Sequence, residues 1–260
     1  MAFELVPGDS ASPVVLHVPH ASRTVVESGL LGEVADELDH LTDAWTDVIA
    51  ARAAGSAGRR PWLFVNRLSR LVVDPERFPG EDEEMLRVGM GPVYTHGYAE
   101  RRLRADDPAR DAVLLKEHYF PYAEAMTALV DGRLAETGRA VIVDVHSYPT
   151  RPLPYELHGD VPRPAICLGT HPLHTPAWLV DAARAAFAPA GDIGRDSPFA
   201  GCYVPLKHLG TTPAVAALMV EIRRDRYMAE PGGEPAAGLD VIAAALTRLI
   251  DTVPEGHRMG

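Results

Sequence analysis

An acid, an imidazole and a hydroxyl close the otherwise apolar, β-branched run Val141-Ile142-Val143-Asp144-Val145-His146-Ser147. Such a run reads as a buried strand, and side chains of these types at its end suit acid–base or metal chemistry. Period-two alternation puts Asp144 and His146 on one face at the carboxyl end, where open α/β sheets bind their ligands. Two further apolar runs finish in the same way. Pro13-Val14-Val15-Leu16-His17-Val18-Pro19-His20 ends in a histidine, and Val215 to Ile222 carries Glu221 near its end. One Asp-x-His pair is readily a satisfied core pair. Three buried strands that each deliver such a group at one end exceed what packing explains.

Two histidines and a carboxylate are the ligand set of a catalytic zinc ion, which keeps one position for water and lowers its pKa toward neutrality. A nearby glutamate that is not a ligand can take the proton of that water and pass it to a leaving nitrogen. Either Asp43 or Asp47, four apart in a helical pattern, can supply the missing carboxylate; otherwise they line a solvated helix face. Arg70, Asp74 and Arg77, in Ser69-Arg70-Leu71-Val72-Val73-Asp74-Pro75-Glu76-Arg77, form either a structural ion-pair network or a clamp for a substrate carboxylate. The chain has no G-x-S-x-G, P-loop, H-E-x-x-H or G-x-G-x-x-G in the required context, so metal hydrolysis is the best-supported chemistry.

The elements that must position these groups alternate between strand and helix. A helical pattern over 33–53 is followed by a strand at 61–65 and a short apolar run at 71–73. The Gly-, Pro- and charge-rich stretch 79–107 reads as an irregular excursion, a candidate lid. An amphipathic helix over 110–136 is interrupted at Pro121 and stopped by Gly138. A strand at 164–170, a helix at 177–187 and a final helix at 236–250 complete the pattern. This alternation predicts an α/β fold with a mostly parallel or mixed sheet between helical layers, as one catalytic domain over 1–260.

Composition narrows the partners. With 47% hydrophobic and 23% charged residues, the chain is of ordinary globular type. A net charge of -11 and a pI near 5.4 argue against nucleic acid and leave a small-molecule substrate. The longest apolar segments fall short of a membrane span, and the N-terminus has no basic region followed by a long apolar one, so a cytoplasmic location is expected. Cys167 and Cys202 have no C-x-x-C spacing and read as small core residues. Nothing in the sequence bears on oligomeric state.

Several stretches together resemble the N-formylglutamate amidohydrolase family: V-P-H-A-S around His20, T-D-A-W around Asp43, S-R-L-V-V-D-P-E-R from Ser69, Y-F-P-Y from Tyr119, V-D-V-H-S around His146 and M-V-E-I-R-R-D-R-Y-M from Met219. They occur in the family's order over most of the chain. The resemblance implies a phosphorylase/hydrolase-like fold, a three-layer α/β/α sandwich with a mixed central sheet shared with zinc carboxypeptidases. It favours Asp43 over Asp47 as the carboxylate ligand of one zinc ion, beside His20 and His146. Asp144 then stands behind a ligand histidine, Glu221 is the general base and Arg224 a second catalytic residue. Arg70, Asp74, Arg77 and Tyr203 are the substrate-binding candidates. The chain departs from the family pattern at Ala123, Ala216, Met219 and Arg223, where polar residues that line a pocket differ while the metal and base positions match. The expected reaction is hydrolysis of N-formyl-L-glutamate to L-glutamate and formate. A zinc amidase for another N-acyl amino acid or small peptide, and a metal-free binding module on the same fold, are the other readings. A substrate panel and metal analysis separate the three.

Overall fold

The computed structural model describes residues 2–157 and 161–254. Three wholly buried strands form its centre: β2 (Val14–Val18), β4 (Ala140–Tyr148) and β7 (Val215–Arg223). Buried on both faces, they have cover on both sides, which is the condition of a parallel sheet between helices. Around them lie β1 (Phe3–Val6), β3 (Trp62–Asn66), β5 (Ile166–Gly169) and β6 (Ile193–Arg195), giving a seven-stranded sheet of order β1-β3-β2-β4-β7-β5-β6. β1 runs antiparallel to β3 and β5 antiparallel to β7, and the remaining pairs are parallel. The sheet is thus mixed, with helices on both faces, as the sequence predicts.

Alternation along the central strands sorts the two faces. Val14, Leu16, Val18, Val141, Val143, Val145, Leu218 and Val220 point to one side, under α2 (Thr46–Ser56), α5 (Ala177–Phe187) and α6 (Gly238–Thr252). That side is apolar throughout. On the other, Val15, Ala140, Ile142, Val215 and Ala217 pack against Tyr122, Met126, Leu129 and Val130 of α4 (Phe120–Thr137). Continuing the same alternation brings His17, Asp144, His146, Met219 and Glu221 onto this second face. It changes from apolar to polar along its length, near the first turn of α4. Loops roof the polar half.

Three local readings of the sequence are corrected. The single helix expected over 33–53 is two, α1 (Ala35–Leu41) and α2, separated at Thr42–Trp45, where Trp45 has φ 69°. A left-handed tryptophan is strained and persists only where its surroundings hold it; here its indole donates to the Gly233 carbonyl at 2.9 Å. Asp43 and Asp47 consequently do not share a helix face. The interruption at Pro121 is not a break. α3 (Pro108–Leu114) passes into α4 through a π-turn at Leu115–Tyr119, and Pro121, which has no N–H to give, falls in the first turn of α4. Gly138, at φ 72°, ends α4 as the sequence indicates.

The stretch 79–107 is irregular but tightly packed. Leu71, Met85, Met90, Tyr94 and Leu103 form a small core with Leu41 of α1, and the apolar run 71–73 belongs to loop, not strand. Arg104, fully buried, donates to the carbonyls of Ser28 and Tyr94, each at 2.7 Å, and of Leu71. A coil without its own ladder must satisfy its backbone in some other way, and one guanidinium with five donors holds three segments together. Burial lowers its pKa to about 10. No helix among the described residues is long and apolar enough to cross a membrane. Arg104→Ala should lose about 3–5 kcal/mol in denaturant unfolding, since three buried carbonyls lose their donor. A loss within the scatter of exposed substitutions would show that the loop core holds without it.

Candidate active site

His20 lies just past the end of β2, His146 near the end of β4 and Glu221 opposite His146 in the β4–β7 register. Asp43 comes from the break between α1 and α2. Its backbone N–H donates to the His20 carbonyl at 3.0 Å, and its own carbonyl accepts from the Thr46 hydroxyl at 2.7 Å. The kink thus ties a carboxylate to the histidine loop. Asp47, one turn on, faces outward and pairs with Arg67 at 3.1 Å.

The Nδ1 atoms of His20 and His146 are 3.3 Å apart, and Asp43 Oδ2 lies 3.2 Å from the second and 3.7 Å from the first. Tetrahedral bonds of about 2.0–2.1 Å to a metal separate its ligand atoms by roughly 3.3–3.4 Å, so this triangle has the size of one face of such a site. The far nitrogens are held by other carboxylates. His20 Nε2 is 2.9 Å from Asp74 Oδ1, and His146 Nε2 is 3.0 Å from Asp144 Oδ1. This is the arrangement that fixes the tautomer and tilt of metal-binding histidines. Asp144 also meets His17 Nδ1 at 2.8 Å and the Tyr203 N–H at 3.1 Å, while His17 Nε2 contacts the Tyr122 hydroxyl at 2.5 Å.

The electrostatics ask for positive charge at the triangle. Burial opposes a charge on His146, yet Asp144, Glu76 and Asp43 push its pKa well above the ordinary imidazole value. His20 shifts the same way: burial and Arg70 oppose the charge, and Asp74 and Asp43 outweigh them. Burial would raise Asp43, but His146, His20 and Arg224 hold it well below the usual carboxylate range. Glu221 differs. It is buried, its Oε2 has no hydrogen-bond partner, and burial raises its pKa to about 7.

These groups border a cavity of about 600 Å³, which Arg70 and Arg77 also line. Arg70 is anchored by the Tyr94 hydroxyl at 2.9 Å and Asp74 Oδ2 at 2.8 Å, and Arg77 stands 3.5 Å from the same carboxylate. Two candidates change position relative to expectation. Asp74, fully buried, backs His20 and the two arginines and does not border the cavity. Tyr203 lines a neighbouring cavity and touches the site through its backbone. Arg224 borders the main cavity, but its guanidinium is engaged by Asp43 Oδ1 at 3.1 Å, Ser147 Oγ at 3.2 Å and the His40 carbonyl at 2.6 Å. It orients Asp43, and no Glu221–Arg224 pair forms among the described residues. Arg223 turns outward to Asp225 at 2.8 Å.

A scan of family models matches residues 12–228 to N-formylglutamate amidohydrolase. The chain belongs to the N-formylglutamate amidohydrolase family. Among solved structures, it is similar to an N-formylglutamate amidohydrolase from Ralstonia eutropha JMP134, with 22% identity, 96% of each chain covered and a TM-score of 0.81. It is also similar to a gene product of Agrobacterium tumefaciens, with 21% identity, 96% of this chain and 93% of that one covered, and a TM-score of 0.70. At these identities the two likenesses establish the shared fold. No curated protein matches.

Sequence reasoning left two residues of this family member without a role. Glu76 lies 3.2 Å from His146 Nε2 and 3.5 Å from His20 Nε2, and His17 shares Asp144 with His146. Glu76 sits in a coil without periodicity, and only its place in the S-R-L-V-V-D-P-E-R stretch marks it. His17 was findable, because an imidazole inside an apolar strand requires a buried partner. Among the described residues His20, Asp43 and His146 form one of three overlapping groups able to hold a metal, the others being His17 with Glu76 and Asp144, and His20 with Asp74 and Glu76. The triangle's dimensions favour the first. His20→Ala and His146→Ala should each abolish stoichiometric metal in protein purified without chelator, and Asp144→Asn should weaken binding by about 10–100-fold. Full metal content in both histidine variants would remove the triangle from consideration.

Proposed function

We propose that this protein is a zinc-dependent amidohydrolase that cleaves the N-acyl amide of an acidic amino acid, with N-formyl-L-glutamate as the simplest substrate. The observation that carries this reading is a buried, unpartnered Glu221 carboxylate in register with His146, beside the His20–Asp43–His146 triangle. These three residues would hold the ion, and the donor set, two imidazoles and one carboxylate, fits zinc. When bound, zinc supplies Lewis-acid chemistry, acidifying water and polarising a carbonyl.

The remaining work falls to the chain's own residues. Glu221 in its ionised form accepts a proton from the attacking water and delivers it to the amide nitrogen as the C–N bond breaks, leaving formate and the free amino acid. A pKa near 7 suits a group that must both take and give that proton. Arg70 and Arg77 face the cavity and supply guanidinium groups for substrate carboxylates, offsetting the field of an acidic protein. Arg224, committed to Asp43, keeps that carboxylate ionised and aimed at the two histidines.

Glu221→Gln should retain fold and metal while turnover of N-formyl-L-glutamate falls on the order of 10²-fold or more. Near-normal turnover would exclude Glu221 from the mechanism. The same variant has a signature in stability. A carboxyl group whose folded pKa is raised contributes stability that is complete below its unfolded value, near 4.5, and is lost as pH rises through about 7. Metal-free Glu221→Gln should therefore gain over metal-free wild type across that window, by an amount on the order of 1–3 kcal/mol above pH 7. Parallel stability–pH curves for the two proteins would show that Glu221 is not held in a desolvated state.

A further inference from the structure

Two residues before His146 and Glu221 in the β4–β7 register, on the same face, lie Asp144 and Met219. Both reach the wall of a second cavity of about 410 Å³, which no step of the proposed reaction uses. It adjoins the first cavity and shares Glu76, Arg77, Ala200 and Met219 with it. The two chambers differ in chemistry. Arg70 lines only the first, whereas Arg77 stands between the two. The second is walled mainly by Tyr119, Ala123, Tyr203, Val204 and Leu209; of its polar lining, Lys207 is paired with Asp131, His171 adds an imidazole, and the Asp144 carboxylate already has both oxygens engaged by His17, His146 and the Tyr203 N–H. At the junction the Glu76 carboxylate, beside His146 and His20, and the Arg77 guanidinium stand together with Ala200 and Met219, so a neutral chain passes without meeting an uncompensated charge.

We propose that this second chamber receives the acyl chain of the substrate, so that the protein takes acidic amino acids N-acylated by a hydrocarbon chain of several carbons, and not by formyl alone. The inference rests on the reading of amide hydrolysis given above. A formyl group leaves the chamber unfilled, whereas a cavity of this volume and lining is of the size and character that binds apolar ligand groups. The amino acid's carboxylates stay with the arginines, the scissile amide lies at the His146–Glu221 rung, and the chain runs past Met219. Met219 is unbranched and adaptable, and Ala123, in the first turn of α4, is small enough to leave the passage open. The reaction balances as a hydrolysis: water's hydroxyl joins the acyl carbon, the C–N bond breaks, and the proton goes to the amine, releasing a fatty carboxylate.

The test measures kcat/KM of the zinc-loaded protein along N-formyl-, N-acetyl-, N-butyryl-, N-hexanoyl- and N-octanoyl-L-glutamate. Each variant, Ala123→Phe and, from the other wall, Leu209→Trp, is measured alongside. Calorimetry of N-hexanoyl-L-glutamate with Glu221→Gln, alone and combined with each variant, gives binding without turnover. Each methylene that enters an apolar chamber is worth roughly fourfold, so kcat/KM should climb at least tenfold from acetyl to hexanoyl. The filling variants should erase that climb and leave the formyl substrate unchanged. Formyl turnover with no climb overturns the chamber's role and leaves the hydrolase reading intact. Turnover of no substrate, with hexanoyl binding that the filling variants abolish, upholds the chamber and overturns the reaction. Neither binding nor turnover overturns both.

Discussion

Asp43, Asp74, Asp144 and Glu221 are all withdrawn from water near one end of one sheet face, and a buried carboxylate persists only if positive charge or hydrogen-bond donors meet it. Three of the four are met. Asp43 has Arg224 and His146, Asp74 has Arg70 and His20, and Asp144 has His17, His146 and the Tyr203 N–H. These partners orient the imidazoles and anchor the cavity arginines, so the solution to a desolvation problem is also the geometry of the site. Glu221 is left out of the network. Its unmet Oε2 and a pKa raised by burial are what an acid–base group needs, and the nearby Arg224 and Arg70 make their hydrogen bonds to Asp43 and Asp74 instead.

Topology makes this concentration of charge possible. β2, β4 and β7 are parallel neighbours, so their carboxyl ends coincide and the groups they deliver meet without long connections. The covering layers are unequal. α2, α5 and α6 seal one face, whereas α4 covers the apolar half of the other and leaves the polar half to loops. The loop core around Arg104 gives that roof rigidity, and Arg70 and Arg77, at its inner edge, inherit fixed positions. An excursion that reads as a candidate lid in the sequence is a packed wall, since its own Arg104 ties it to the carbonyls of Ser28 and Leu71, far along the chain.

What the sequence by itself determined was the part written in local periodicity. Runs of β-branched residues identified the central strands. Period two put Asp144, His146 and Glu221 on consistent faces, and the breaks at their ends marked the functional edge. The same pattern reached His20 at the end of the run that begins at Pro13, and the family resemblance favoured Asp43 over Asp47. Only the tertiary structure decided which of Asp43 and Asp47 lies beside the two histidines, because that placement depends on a left-handed Trp45 held by Gly233, a contact 188 residues away in sequence. It likewise set Asp74, a substrate-binding candidate, behind His20, and set Arg224, a catalytic candidate, against Asp43, and showed Glu76 and His17 among the histidine partners. Ion pairing in a coil depends on which charges the fold brings within a few ångströms, and no repeat in the chain encodes that distance.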